Sequence, residues 1–331
     1  MSRALELATL GRGFVAPNPM VGCVIVHGDG VNARVIGEGW HQRYGEAHAE
    51  RNAILSVKPA DNHRLSDSTA YVTLEPCSHT GKQPPCADLL IEKQVGRVVV
   101  CNHDPNPLVA GRGLQKLRDA GVVVEIGMLE AEGRWLNRRF FTFMEARRPY
   151  VILKWAETAD GFIGGTGKQP VAVSGPVAQR LNHRWRTEED AILVGTTTAL
   201  TDNPRLNARL WPGRNPTRLV LDRHQRLPAS LHLFDGSQPT IRFTNDLLRP
   251  FTLPQLLTDL HQRGIQSVIV EGGAATIQSF IDAALWDEAR IFRSPNRLGN
   301  GTKSPVIQGQ TIDKQAVGTD SLRIIRRIGS W

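Results

Sequence analysis

Four residues early in the chain have the types and order of a metal-dependent hydrolytic centre: His48, Glu50, Cys77 and Cys86. A catalytic zinc takes three protein ligands and keeps its fourth position for water. One imidazole nitrogen and two thiolates would fill that set, so one Zn2+ per chain is expected on His48, Cys77 and Cys86. The helical spacing of Ala49, Ala53, Ile54 and Val57 puts His48 near a helix start, with Glu50 two residues on and aimed at the same place. A second helical pattern, Ala87 to Lys93, starts beside the cysteines, and helix N-termini lower thiol pKa values. Glu50 then reads as the proton shuttle between a water on the metal and a leaving amine. Cys23, inside an apolar run, and Cys101, at a strand end, read as core. His79, between the two cysteines, is a competing ligand.

The order H-x-E followed by P-C-x-x-C is the signature of zinc nucleobase deaminases. This chain departs from the short form, because Cys77 and Cys86 enclose eight residues, SHTGKQPP. Two features of the second half suggest phosphate chemistry. The strand Ser267–Val270 runs into Glu271-Gly272-Gly273-Ala274-Ala275-Thr276, small residues that let backbone N–H groups approach a phosphate at a helix N-terminus; an ordinary tight turn reads the same. Arg186, Arg205 and Arg209 gather with Asp202 around the strand Ala191–Val194, guanidiniums suited to phosphate or to a solvated surface. No G-x-G-x-x-G fingerprint is present, so an ordinary Rossmann site is not indicated.

The elements that must hold these residues alternate between strand and helix, as in layered α/β folds. A short helix around Leu5–Leu10 precedes strands at Val21–Val26 and near Val35, then at Ala70–Leu74, Arg97–Cys101 and Val122–Ile126, which is read as closing the first unit. A charged stretch and a proline at Glu145–Pro149 mark a seam before the strand Tyr150–Trp155. Strands near Ala191–Val194, Arg218–Asp222, Thr240–Phe243 and Ser267–Val270 follow, with helices Gln179–Arg186 and Leu253–Arg263 between them.

The 331 residues suffice for about two domains. With 40% hydrophobic and 22% charged residues, wholesale disorder is excluded. No apolar run is long enough for a membrane span. The opening MSRALELATLGRG has no apolar h-region, so no secretory leader is expected, and four cysteines are too few for a disulfide framework. A cytoplasmic enzyme is the expectation. Charge is uneven: residues 1–146 carry 16 basic and 16 acidic side chains, leaving 24 against 16, the whole net +8, in the remainder. A basic half suits an anionic partner.

The motifs Ala16-Pro17-Asn18-Pro19, Val21-Gly22, Gly39, His41, His48-Ala49-Glu50, Thr73-Leu74-Glu75-Pro76-Cys77-Ser78-His79, Pro84-Pro85-Cys86, Asp104-Pro105-Asn106-Pro107 and Gly111-Arg112-Gly113 resemble the bifunctional riboflavin-biosynthesis deaminase–reductase family, which shows the same long spacing between its cysteines. Lys154, Asp160-Gly161, Ala191–Gly195, Thr198, Asp202-Asn203-Pro204 and Val270–Gly273 resemble its reductase half. The resemblance implies an α/β protein: a cytidine-deaminase-like α/β/α domain over 1–146, then a dihydrofolate-reductase-like α/β domain over 147–331 that uses NADPH. By position, it implies that Ala156, Thr198, Asp202, Gly273, Ala274, Ala275, Thr276, Ile277, Gln278 and Ser279 line the NADPH site. Arg186, Leu206, Arg209 and Glu271 would face a phosphoribosyl substrate, Lys154 and Glu271 would serve the reduction, and Asn18 would meet substrate in the first domain. Between Gly167 and Ser174 the chain reads KQPVAV, with Pro170 and Ala172 where the family has serine and tryptophan, which puts that loop's contacts in question.

The reactions implied are deamination of a diaminopyrimidinone ribosyl phosphate, then NADPH-dependent reduction of the ribosyl group of the resulting aminouracil to ribityl. Expected partners are phosphoribosyl pyrimidines and NADPH, with no nucleic acid and no membrane, in a homo-oligomer. Two other readings compete: a nucleic-acid-editing deaminase whose basic half grips RNA, and a zinc-stabilised binding protein without turnover. Sparse aromatics and the lack of an RNA-binding motif weigh against the first. The second leaves Glu50 without a purpose.

Overall fold

A computed structural model describes residues 1–78, 84–106, 110–166, 171–245 and 251–329. The chain divides into two compact units, Met1–Ala146 and Arg147–Trp331.

The first unit contains strands β1 (Gly22–His27), β2 (Arg34–Trp40), β3 (Ser68–Leu74), β4 (Arg97–Asn102) and β5 (Val123–Ile126), in the sheet order β2-β1-β3-β4-β5. β1 is antiparallel to both neighbours, whereas β3, β4 and β5 run parallel. Helices α1 (Ser2–Thr9), α2 (Ala49–Leu55), α3 (Cys86–Glu92) and α4 (Arg112–Asp119) are joined by α5 (Glu130–Leu136) and α6 (Arg138–Ala146). Apolar faces of α2, α3 and α4 meet Cys23, Ile25, Val72, Val98 and Val100 in one core layer. On the other face Ala4 and Leu7 of α1 cover Val24, and Phe140 and Phe141 of α6 pack against Leu74 at the end of β3. Val122–Ile126 therefore does not close the unit. Two more helices follow it, and they bury aromatic side chains that the sequence reading left unassigned.

The second unit contains β6 (Tyr150–Glu157), β7 (Phe162–Gly164), α7 (Pro176–Glu188), β8 (Ala191–Gly195), α8 (Thr196–Asp202), β9 (Thr217–Leu221), β10 (Thr240–Phe243), α9 (Leu253–Gln262), β11 (Ser267–Val270), α10 (Ala274–Asp282), β12 (Glu288–Arg293), β13 (Thr302–Lys303), β14 (Gln310–Val317) and β15 (Asp320–Arg326). The large sheet is ordered β10-β9-β8-β11-β6-β12-β15-β14. It is parallel from β10 to β12, and β15 and β14 add antiparallel strands. Successive residues of each parallel strand feed opposite cores, the period of two that a sheet covered on both faces requires. Val151, Leu153, Ala191, Leu193, Val268 and Val270 face one layer; Tyr150, Ile152, Ile192, Val194 and Ile269 face the other. Helix α7 runs longer than its apolar spacing indicated, because Pro176 at its first turn has no N–H to satisfy and suits that position.

The strand register places the functional ends. Val270 lies opposite Leu153 of β6 and Leu193 of β8. Glu271 therefore comes level with Lys154, and Gly272 level with Val194–Gly195, at the carboxyl ends of parallel strands, where α/β sheets bind ligands.

Candidate active sites

In the first unit His48 is the N-cap of α2, with extended backbone, and Glu50 sits in the first turn behind it. Cys77 follows β3, and Cys86 opens α3. These elements converge. The Cys77 and Cys86 sulfurs lie 3.6 and 3.4 Å from His48 Nδ1, and the three ligand atoms fall within 4.8 Å of one another. The Cys86 backbone N–H donates to the Cys77 sulfur at 3.3 Å, so both sulfurs stand at the start of α3. The two thiols shift in opposite directions, because the Cys86 thiol is a hydrogen-bond partner of the Cys77 sulfur. That hydrogen bond lets the Cys77 thiol fall to about 4, with help from His48, while Cys86 rises well above the ordinary thiol value. One imidazole and two sulfurs, one already favouring thiolate, are the donor set of a catalytic zinc, and a dication held there would favour both thiolates. The residues fit that metal.

Glu50 is 3% exposed. Burial pushes its carboxyl up to about 7, and the Cys77 sulfur adds to the shift. Beside it, His41 meets the His48 ring edge to face at 5.4 Å. Its Nδ1 lies 3.1 Å from the Ala47 carbonyl, which can only accept, so Nδ1 carries the proton and Nε2 accepts from Asn18 Nδ2 at 3.2 Å. Burial pushes the His41 pKa down, in keeping with that neutral form. Cys23 and Cys101 are buried core residues outside the cluster. His79 and Pro107 lie outside the described residues.

Glu75 is a residue whose part the sequence reading missed. Its buried carboxylate accepts from the backbone N–H groups of Gly111 at 3.0 Å, Gly113 at 3.1 Å and Asp104 at 3.4 Å. It thereby fastens Asp104, Gly111 and Gly113 to the strand end that delivers Cys77. A Cβ at Gly113 would stand 1.9 Å from the Pro76 carbonyl oxygen, so only glycine fits there. The pairing of Glu75 with Gly111-Arg112-Gly113 was the available signal, but nothing in the spacing says that they meet.

In the second unit Glu271 is the hub. Arg186 donates to it twice, Nε to Oε1 at 2.9 Å and Nη2 to Oε2 at 2.8 Å, Asn182 Nδ2 donates at 3.2 Å, and Lys154 Nζ stands 3.8 Å away. Burial alone would raise the Glu271 pKa; the Arg186 and Lys154 charges overcome it and hold the carboxyl down at about 2. Burial pushes the Lys154 pKa down.

The expected guanidinium group is therefore divided. Arg186, with its remaining bond going to the Asn207 carbonyl, turns inward and braces Glu271 instead of offering itself to phosphate. Arg209 stays exposed, held at 3.0 Å by the Asn207 side chain. Leu206 is packed in the core among Tyr150, Ile152 and Leu233, so it can face a substrate only through its backbone.

The stretch from Gly273 to Ser279 is divided as well, because α10 rotates its residues round the axis. Ile277 is buried in the core, and the Gln278 side chain pairs with the backbone of Val306 and with Asp282. The first turn is what reaches the sheet's carboxyl edge. There a Cβ on Gly272 would lie 2.4 Å from Val194 Cα, one on Gly195 2.4 Å from Thr276 Oγ1, and one on Gly273 3.2 Å from Thr198 Oγ1. Gly273, Thr276, Thr198 and Gly195 thus form a cradle of bare backbone and hydroxyls at two helix starts, which fits a dinucleotide's phosphates. Ala156 lies half-buried on β6 opposite Phe292, and Asp202 ends α8, exposed. Of the 167–174 loop, Pro170 lies outside the described residues, and Ala172 is exposed.

Comparison with known proteins matches each unit to a family. The family model for the cytidine and deoxycytidylate deaminase zinc-binding region matches residues 1–102, and that for the RibD C-terminal domain matches 149–327. Riboflavin biosynthesis protein RibD of Actinobacillus pleuropneumoniae is 38% identical over 95% of this chain and 88% of its own length; that of Aquifex aeolicus is 35% identical over 91% and 87%. The solved structure of Acinetobacter baumannii RibD superposes with a TM-score of 0.89 at 33% identity, covering 98% of this chain and 97% of that one. A diaminohydroxyphosphoribosylaminopyrimidine deaminase/5-amino-6-(5-phosphoribosylamino)uracil reductase from Thermotoga maritima gives 0.87 at 35% identity, covering 99% and 97%.

Fold and sites together define a bifunctional enzyme, a zinc deaminase followed by an NADPH-dependent reductase of dihydrofolate-reductase-like fold. More narrowly, the chain belongs to the RibD family of riboflavin biosynthesis.

Proposed function

We propose that the first unit hydrolytically deaminates 2,5-diamino-6-(5-phosphoribosylamino)pyrimidin-4-one, and that the second reduces the ribosyl group of the 5-amino-6-(5-phosphoribosylamino)uracil so formed, as the Thermotoga relative's description implies. The observation that carries the reading is the convergence of His48, Cys77 and Cys86 in front of a buried carboxylate, Glu50. Held by those three residues, zinc supplies Lewis-acid activation of water. Glu50 takes the proton from the attacking water and returns it to the departing amino group. Its raised pKa suits both transfers near neutral pH. Asn18 and the neutral His41 border the centre and orient the pyrimidine.

In the second unit NADPH, seated by Thr198, Gly273 and the first turn of α10, supplies the hydride. Lys154 holds a proton beside the reacting sugar, for the ring oxygen as the ring opens. Glu271 keeps Lys154 in place, with Arg186 as its brace. Arg209, exposed and held among the described residues by the Asn207 side chain, takes the substrate phosphate.

The reading includes a cytoplasmic setting, no nucleic-acid partner and a homo-oligomer. Among the described residues no helix is long and apolar enough to cross a membrane. The outermost strand β14 is exposed at every residue but Val317, which leaves a sheet edge for a second copy.

Supplied with the diamino substrate, Cys77→Ala protein should contain little zinc by metal analysis and leave NADPH unoxidised. Supplied with the aminouracil, it should oxidise NADPH at the normal rate. Full zinc content in that variant would remove Cys77 from the metal site, and NADPH oxidation from the diamino compound without zinc would refute the order of steps.

A further inference from the structure

Beside the Glu271 hub, two buried polar atoms have no partner among the described residues: Asn182 Oδ1 and His183 Nδ1. The two residues are consecutive on α7, and they are 7% and 4% exposed. The Asn182 amide orientation is settled by its contact, since only the NH2 group can donate to the Glu271 carboxylate. Its oxygen is therefore an unsatisfied acceptor. His183 lies in the combined field of Arg186, Arg209, Glu271 and Lys154. Burial first, then the positive neighbours Arg186 and Arg209, push its pKa down to about 4, so the imidazole is neutral. A buried acceptor left unmade costs about 1–3 kcal/mol, and a ligand bearing the matching donor removes that cost. A phosphate cannot do this for Asn182 Oδ1, because its oxygens only accept when ionised. The Glu271 oxygens cannot take the donor instead, being engaged by Arg186 and Asn182 with Lys154 close by. A hydroxyl suits both atoms, since it donates to Asn182 Oδ1 and can donate to or accept from His183 Nδ1.

We infer that Asn182 and His183 form a sugar-hydroxyl subsite of the reductase, reading the ribose diol of the substrate while Arg209 takes its phosphate. The inference rests on the assignment of this sheet edge to the phosphoribosyl substrate. It adds a polarity to the site: acceptors deep beside Lys154, donors at the exposed rim. The substrate's sugar would then enter hydroxyls first.

The test uses the full-length, zinc-loaded protein with NADP+ and measures binding of ribose 5-phosphate, 2-deoxyribose 5-phosphate and 3-deoxyribose 5-phosphate by calorimetry. Wild-type protein should bind at least one deoxy sugar roughly 10–100-fold more weakly than ribose 5-phosphate, the range for one buried hydrogen bond. His183→Leu should weaken ribose 5-phosphate and narrow that ratio towards one. His183→Asn, which keeps a polar atom near the Nδ1 position, should preserve most of it. A residue that matters only for packing would weaken all three sugars by one factor, and that result overturns the proposal. So does equal binding of all three by wild-type protein, which decides the matter even if His183→Leu does not fold. If wild-type protein binds none of them, the assignment of this edge to the substrate falls first.

Discussion

Glu50 and His183 are both buried titratable side chains, and the tasks proposed for them are opposite, one to move protons and one to refuse them. Glu50→Gln should retain zinc and lose deamination by about 10²–10⁴-fold, because an amide of the same shape cannot carry a proton; reduction of separately supplied aminouracil should be unaffected. Near-normal deamination in this variant would remove Glu50 from the chemistry. For His183 the sign follows from its neutral state. Folded, it resists protonation down to about 4, whereas an unfolded histidine titrates near 6.5. Between those values the unfolded chain binds the extra proton, so stability falls as pH drops from about 6.5 towards 4. Melting temperatures measured across that window should fall less steeply in His183→Asn than in wild type; parallel slopes would show that His183 does not set them. The two residues also differ in how plainly the sequence announces them. Glu50 stands two places from a ligand and needs no tertiary knowledge. His183 means little until α7 and β11 bring Arg186, Asn182 and Glu271 together, although the spacing of Asn182, His183 and Arg186 on one helix face hinted at it.

Elements, more than single residues, account for what sequence reading left out. The strands β6, β8, β9 and β11 are apolar runs buried on both faces, and they were legible as such. β14 is not: its exposed Gln310–Ala316 stretch has no apolar alternation, because only its partner β15 turns residues inward. Helices α5 and α6 escaped for another reason. They follow a strand that already looks like the end of a unit, and their apolar residues pack in small clusters away from the main core, Leu136 with Ala8, Val15 and Met20, Phe140 and Phe141 with Leu74. The clamp made by Glu75 was equally hidden, since its partners are backbone N–H groups. It gives a direct prediction. Gly113→Ala forces a Cβ against the Pro76 carbonyl, a backbone clash that no rotamer relieves, so stability should fall by about 1–3 kcal/mol. Because Pro76 precedes Cys77, zinc should also become easier to remove. A chelator competition that shows unchanged zinc affinity, alongside an unchanged melting temperature, would mean the clamp is slack.

Across the whole molecule, the basic excess of residues 147–331 falls in the unit that binds NADPH and a phosphorylated sugar. Many of those charges are internally committed: Arg148 to Asp287, Arg186 to Glu271, Arg218 to Asp235 and Arg242 to Asp222. Each such pair uses one acidic and one basic side chain, so the net +8 is left for the phosphates of NADPH and of the sugar in the proposed function. Any RNA binding should accordingly be weak, without the steep salt dependence of roughly −0.7 per neutralised phosphate in a log–log plot; a tight, strongly salt-sensitive complex in a filter-binding assay would restore the editing-enzyme reading. Each unit also draws every strand of its main sheet, its core and its site residues from one uninterrupted stretch of chain. No strand is lent across the joint between Ala146 and Arg147. In genetic terms, that joint is where the coding sequence can be divided without splitting a sheet: a stop and a new start there would yield two polypeptides, each holding the side chains proposed for its own reaction.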